Sequence, residues 1–212
     1  ENLFINYSLF ILFLPLLAFV VQIFFGKKLP RDGDWVSIGA ISITLILSII
    51  MFVSMILNAD PSFKKQAAFT WLDMGSFSVE LGFLIDNITI VMLLVVSLIS
   101  TCTHIFSTQY LKGDIRYSRY FGYLGLFTFS MNGIVLADNL LAMYMFWELV
   151  GVSSYLLIGH WFEKESAANA AKKAFLTNRV GDIGFFIGIM IIYTAIGSFA
   201  FDDIFRGVSA EL

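Results

Sequence analysis

The sequence predicts an all-α membrane protein that crosses the bilayer six times. Of its 212 residues, 58% are hydrophobic and only 14% are charged, and the mean hydropathy is +0.84. Soluble domains carry about 25% charged residues. The apolar residues also fall into six long segments, each near the ~20 residues that a helix needs to cross a bilayer. The charged residues gather in the short joints between them.

The six predicted helices form one transmembrane domain over residues 1–212. They cover approximately residues 3–25, 35–57, 84–108, 120–137, 140–161 and 167–197. Pro15 interrupts the first helix, so a neighbouring helix must satisfy the carbonyl that the proline leaves unpaired. A polar tail from Asp202 to Leu212 is expected to end the chain.

A short β-hairpin is predicted between the second and third helices. In FTWLDMGSFSVELGF, apolar and polar residues partly alternate, and Met74, Gly75 and Ser76 form the expected turn. Asp86 follows the hairpin and is expected to cap the third helix or to interact with its dipole.

The distribution of lysine and arginine predicts the orientation. The joints after the first, third and fifth helices, together with the start of the sixth helix, form what we call the basic side, with Lys27, Lys28, Arg31, Lys112, Arg116, Arg119, Lys164, Lys172 and Lys173. The opposite side carries only Lys64, Lys65 and Arg206. The positive-inside rule therefore places the basic side in the cytoplasm, and both termini and the hairpin outside it.

Several function classes are disfavoured by composition. The net charge is −3 and no basic run is present, so nucleic acid is not an expected partner. The single cysteine, Cys102, has no partner in this chain for a disulfide or a CxxC site. No GxGxxG or P-loop motif occurs, so we expect no cofactor or metal in this chain itself.

Three ionisable residues lie inside the last two helices, where an unpaired charge is costly. Glu148 lies near the centre of the fifth helix, and Arg179 and Asp182 are three residues apart on the sixth. Glu148 and Asp182 are each 17 residues from the joint centred on Glu165, about 25 Å of helix at ~1.5 Å per residue. A cluster across the helix pair is therefore allowed. It could exchange a proton or hold a cation, or it could be an inert structural ion pair.

Two further residues are candidates for moving protons. His104 lies in the basic-side half of the third helix and could relay protons, although such a histidine is more often simply hydrogen-bonded. Lys173, with Lys172, begins the sixth span and could join a proton path or serve as an interfacial anchor. His160, at the end of the fifth helix, is a weaker relay candidate.

The longest informative stretch is VLADNLLAMYMFWELVGVSSYLLIGHW followed by KKAFLTNRVGD. These residues resemble the antiporter-like subunit L of bacterial respiratory complex I, the NADH–quinone oxidoreductase. The segments FLIDNIT and YSRYFGYL match it too, and the resemblance is most specific over residues 113–184.

The resemblance implies a fold with two inverted repeats of five helices and a proton path lined by buried charges. It implies that Glu148 pairs with a lysine on a later broken helix, with Arg179 and Asp182 beside the pair. NADH, FMN, iron–sulfur clusters and quinone would belong to partner subunits, and other membrane subunits and lipid would surround the chain. A bacterial plasma membrane is favoured over a mitochondrial inner membrane.

Members of that family are far longer than this chain, so we expect it to be the N-terminal part of such a subunit, without the partner lysine or the second half-channel. Two alternatives stay open from the sequence. One is the related subunit of a multisubunit Na⁺/H⁺ antiporter. The other is a structural membrane scaffold with inert buried ion pairs.

Overall fold

The computed structural model describes residues 3–58, 60–73 and 78–211. These residues form seven α-helices and two β-strands. In chain order they are α1 (Leu3–Phe25), α2 (Asp34–Asn58), β1 (Lys64–Asp73), β2 (Ser78–Asp86), α3 (Asn87–Tyr110), α4 (Tyr117–Leu136), α5 (Leu140–Ile158), α6 (Glu165–Ile196) and α7 (Phe201–Glu211).

Five helical segments, those containing α1, α2, α3, α5 and α6, are long and apolar enough to cross a membrane. α4 is not among them. Its 20 residues include serine, threonine, asparagine and glycine, and most of these are buried against other helices. A membrane-type helical architecture is therefore present, and the sixth crossing remains a proposal.

α4 lies at the centre of the helices and packs against α1, α3 and α5. Close approach to α1 is possible because Gly125 has no side chain: a Cβ there would lie 3.0 Å from the Pro15 carbonyl oxygen. α1 continues through Pro15, whose ring removes the N–H that would bond the Ile11 carbonyl. Asn132 of α4 supplies the missing donor, with Nδ2 3.1 Å from Ile11 O. The requirement deduced from Pro15 is thus met.

β1 and β2 pair in antiparallel register, from Lys64 opposite Asp86 to Asp73 opposite Ser78. This is the region of the predicted hairpin, although its expected turn lies outside the described residues. Asp138, in the α4–α5 joint, holds the strands: its Oδ1 accepts from Gly82 N at 3.1 Å. The Asp138 carbonyl also accepts from Phe201 N at 3.2 Å. One buried joint therefore connects the strands, α4, α5 and the start of α7.

The start of the third helix differs from the prediction for a physical reason. The third helix begins at Asn87 rather than 84, because residues up to Asp86 belong to β2 and the Asp86 carboxylate caps the helix by accepting from Thr89 N at 2.7 Å. The predicted capping role is confirmed.

The predicted polar tail is wrong, because residues 201–211 form the amphipathic helix α7. Phe201, Ile204, Phe205 and Val208 recur at helical spacing among its polar residues, which favours a helix with one apolar face. The Ser198 hydroxyl bonds the Asp203 carboxylate at 2.7 Å near its first turn.

Candidate functional site

The antiparallel pair α5 and α6 brings the three predicted charges together. Arg179 Nη1 forms an ion pair with the Glu148 carboxylate. The same nitrogen lies 3.4 Å from Asp182 Oδ2, one helical turn further along α6. We call Glu148, Arg179 and Asp182 the charge cluster. The residue numbers placed Glu148 and Asp182 at equal distances from the joint. In the structure both carboxylates lie beside Arg179.

Two aromatic residues that were not predicted from the sequence contact the charge cluster. Trp147 Nε1 donates to Asp182 Oδ1 at 3.0 Å. The Arg179 guanidinium lies over the Phe175 ring, with Cζ 4.7 Å from the centroid. Phe175 precedes Arg179 by four residues, so their contact could have been predicted from helix periodicity. The contact between Trp147 and Asp182 could not have been predicted in this way, because it depends on how α5 and α6 are rotated against each other.

The two carboxylates have different surroundings. Asp182 is 5% exposed and accepts from both Arg179 and Trp147. The side chain of Glu148 is 25% exposed and its described partner is Arg179. One guanidinium therefore serves two carboxylates, and Asp182 has the additional donor. Glu148 is the carboxylate that would lose more if Arg179 moved.

His104 lies away from the charge cluster, fully buried between α3 and α4. Its Nδ1 is 2.8 Å from Ser100 O, and the Ser100 hydroxyl is 2.6 Å from the Thr128 hydroxyl of α4. Its hydrogen bonds to Ser100 and its ring contact with Phe121, in the described part of the chain, are with α3 and α4. The structure therefore places His104 in a separate hydrogen-bonded network of polar side chains on α3 and α4.

Lys173 also lies outside the charge cluster. It is exposed on α6, and nine residues separate it from Asp182. At 3.6 residues per turn, that spacing puts the two on opposite faces of the helix.

Metal binding finds no support in the described ranges, in which no group of three His, Cys, Asp or Glu side chains could hold an ion. The charge cluster offers different chemistry. Burial favours a protonated carboxyl and a nearby guanidinium favours a carboxylate, so movement of Arg179 could exchange a proton at Glu148.

Comparison with known proteins shows that the α5–α6 pair lies in a segment that matches a known family. Residues 137–211, which contain the whole charge cluster, match the family described as "NADH:quinone oxidoreductase/Mrp antiporter, TM". Residues 71–121 match the family described as "NADH-Ubiquinone oxidoreductase (complex I), chain 5 N-terminus". The chain belongs to the complex I antiporter-like subunit family. The family resemblance deduced from the sequence is confirmed at this level.

Curated relatives of this antiporter-like chain are named NAD(P)H-quinone oxidoreductase subunit 5, chloroplastic. That of Mesostigma viride is 48% identical over 167 residues, which cover 79% of this chain and 25% of the relative. That of Chlorokybus atmophyticus is 46% identical over 209 residues, covering 94% of this chain and 32% of the relative. The chain thus spans about a quarter to a third of the length of these relatives.

Two solved structures have the same fold. One is the membrane-bound sulfane sulfur reductase, an archaeal respiratory membrane complex, with a TM-score of 0.77 and 16% identity over 93% of this chain and 39% of the other. The other is the Mrp complex from Dietzia sp. DQ12-45-1b, with a TM-score of 0.76 and 20% identity over 93% of this chain and 20% of the other. The fold of antiporter-like membrane subunits is therefore present in this chain.

Proposed function

We propose that this chain is the N-terminal part of a proton-translocating membrane subunit of an NAD(P)H–quinone oxidoreductase. The observation that carries the proposal is the charge cluster within the family-matching segment 137–211. In the proposal, electron transfer from NAD(P)H to quinone takes place in partner subunits, which hold the NADH, FMN, iron–sulfur and quinone sites. This chain contributes part of the proton path.

The proposed mechanism is an exchange of partners at Arg179. When Arg179 contacts Glu148, the carboxylate is stabilised as an anion. When a rearrangement elsewhere draws Arg179 toward Asp182, Glu148 loses its cation in a poorly solvated site and takes up a proton. The return of Arg179 expels the proton. The bond from Trp147 to Asp182 keeps an acceptor in place for the alternative position of Arg179.

The proposed topology has six crossings: the five apolar helical segments and, in addition, α4. α4 is less apolar than the other five, but α1, α3 and α5 cover much of its surface, and buried residues such as Thr128 and Ser130 bond main-chain carbonyls of their own helix. Such a helix can lie at bilayer depth because it contacts protein rather than lipid. The N-terminus would then be on the side opposite the basic joints. We still propose the bacterial plasma membrane as the location. The named relatives are chloroplastic, and finding this protein in a chloroplast would overturn that proposal.

The test is Glu148→Gln in the full-length protein within its assembled complex. The amide cannot exchange a proton, so proton pumping should fall at least about tenfold, since an essential proton-transfer group contributes ~10²–10⁴ in rate. Assembly should be intact and uncoupled electron transfer should continue. The matched control is Glu165→Gln, an exposed carboxylate at the start of α6. Unchanged pumping in an intact Glu148→Gln assembly would support the inert scaffold instead.

A second candidate is a subunit of a multisubunit Na⁺/H⁺ antiporter. The description of the matching family names the Mrp antiporter beside the oxidoreductase, and an Mrp complex shares the fold. Purification of the native assembly distinguishes the two functions. Redox subunits and NAD(P)H-driven pumping support the first proposal, whereas Na⁺-dependent proton exchange without redox partners supports the second.

A further inference from the structure

A cavity of about 240 Å³ opens between α4, α5 and α6 on the basic side. Its polar lining includes the cations of Arg119 and Lys172, the rings of Tyr123 and Tyr155, and His160. We call these five residues and the space between them the headgroup pocket. It lies at the basic-side end of α5, where Tyr155 lines it, whereas Glu148 is ten residues back from the Ile158 end of that helix.

The two cations of the headgroup pocket have no ion-pair partner among the residues that the structure describes. Arg116, which also borders the cavity, is different: it pairs with Glu163, donates to His160 O at 3.0 Å and lies over Phe162. The nearby acidic side chain of Glu163 is therefore engaged elsewhere, and the charges of Arg119 and Lys172 are left for an external anion.

His160 adds a buried polar atom to the same wall. The residue is 6% exposed, and its Nδ1 is buried without a hydrogen-bond partner in the described part of the chain. Its Nε2 faces Asp114 Oδ1 at 3.4 Å. A buried ring nitrogen that is not bonded within the protein usually bonds water or a ligand.

An apolar groove continues from the headgroup pocket along α6. This second cavity, about 380 Å³, is lined by Tyr155, Lys172, Phe175 and Leu176, so two residues border both spaces. Tyr155 and Phe175 have ring centroids 5.5 Å apart and form its floor, while Leu176 is 65% exposed at its edge. A polar, cationic cavity at the end of an apolar groove has the shape of a lipid, with a charged headgroup and an apolar tail.

We propose that the headgroup pocket binds the phosphodiester of an anionic phospholipid, with one acyl chain in the groove beside Phe175 and Leu176. Arg119 and Lys172 provide charge complementarity to the phosphate, as basic pockets between membrane helices commonly do. Tyr123 and Tyr155 provide hydroxyl donors at the interface, where tyrosine is favoured. This site does not depend on proton exchange at Glu148, and it assigns a lipid ligand to the joint between α5 and α6.

The experiment uses the full-length protein in its assembled complex, delipidated and then titrated with phosphatidylglycerol or phosphatidylcholine, with bound lipid counted by native mass spectrometry. The variant Arg119→Gln with Lys172→Gln should weaken phosphatidylglycerol binding about tenfold or more, since each interfacial cation adds affinity for anionic lipid. Phosphatidylcholine binding should not change. The charge-matched control is Lys27→Gln with Lys28→Gln, which removes two exposed cations on the same side away from the pocket.

A second variant separates lipid from free phosphate. Leu176→Ser should weaken phosphatidylglycerol binding, because it removes apolar surface from the groove, and it should leave binding of inorganic phosphate unchanged. The proposal is overturned if both double variants lose lipid equally, or if the two lipids bind equally well. It is also overturned if inorganic phosphate displaces phosphatidylglycerol at equal concentration, or if a map of the assembly shows a protein side chain in the pocket.

Discussion

Asn132 Nδ2 on α4 lies 3.1 Å from the Ile11 carbonyl oxygen on α1, the carbonyl left without a helical donor by Pro15. Asn132 and Ile11 are both fully buried. An unsatisfied carbonyl inside a membrane is costly, so a proline in a spanning helix requires a donor from a neighbour. This bond explains why a buried amide side chain occurs four residues before the end of α4.

Replacing Asn132 with leucine should lower the free energy of unfolding by about 1–3 kcal/mol, the cost of one buried group left unsatisfied. The loss should be smaller in a Pro15→Ala background, because an alanine at that position has an N–H that can bond the Ile11 carbonyl within α1. The measurement is a double-mutant cycle on the unfolding midpoint of the assembled protein. Equal losses in both backgrounds would contradict the pairing of Asn132 with the proline.

Trp147→Phe removes the indole donor to Asp182 and keeps an aromatic ring on α5. Asp182 should then compete more strongly for Arg179, because a bond to a charged group is worth about 1.5–3 kcal/mol. We expect severalfold lower proton pumping per NAD(P)H oxidised, with little change in electron transfer. Trp35→Phe, at an exposed indole on α2, is the control. A pumping ratio equal to the control would remove Trp147 from the mechanism.

Gly133→Ala should disrupt the contact between α4 and α5. A Cβ at Gly133 would lie 2.2 Å from a Phe146 ring carbon, so the ring must shift. Overpacking of this kind costs about 1–3 kcal/mol. Gly39→Ala on α2 meets no atom within 4 Å and should change stability by less than about 1 kcal/mol. Unfolding midpoints of the two variants, measured in the same detergent, make the comparison.

The burial of His160 on the basic side should make the stability of the fold depend on pH. Burial holds the pKa of His160 below its usual value, an effect that Asp114 offsets and that Arg116 and Arg119 reinforce. The unfolded chain therefore binds a proton near pH 6.5 before the folded chain does, and stability falls as the pH is lowered through that region. Burial raises the pKa of Asp114, but hydrogen bonds from Arg116 N and Trp161, with the electrostatic attraction of His160, outweigh it and leave that pKa below its usual 3.8. Asp114 therefore contributes little to the pH dependence above pH 5.

The unfolding midpoint of the wild-type assembly should accordingly fall more between pH 7.5 and pH 5.5 than that of His160→Gln. The glutamine variant is its own control, because it keeps the size and polarity of the joint and loses only the titration. Parallel curves for the two proteins would show that His160 is not held neutral in the fold.

Much of the helical layout could be predicted from the sequence. Apolar segments and their charged joints gave the helix positions to within a few residues, because lipid allows few other structures. The approach of Glu148 to Arg179 followed from counting residues on either side of one joint. The donor required by Pro15 also followed, although its identity as Asn132 depended on how α1 and α4 pack.

Other features depended on contacts between distant residues. Trp147 reaches Asp182 only because of the rotation of α5 against α6. Asp138 looks like part of a tight turn in the sequence, yet it holds β2 through Gly82. The amphipathic pattern of α7 was visible, but eleven residues that include two Asp, one Arg and one Glu read equally well as a polar tail. His104 and Lys173 were proposed as further proton-transfer residues by residue type, which carries no information on helix facing.

Infrared difference spectroscopy of the full-length assembly during turnover tests most directly whether Glu148 exchanges a proton. We expect a band from a protonated carboxyl that appears or disappears with turnover in the wild type and in Glu165→Gln, and that is missing in Glu148→Gln. An unchanged carboxyl band in an assembled Glu148→Gln complex would contradict the proposed role of Glu148.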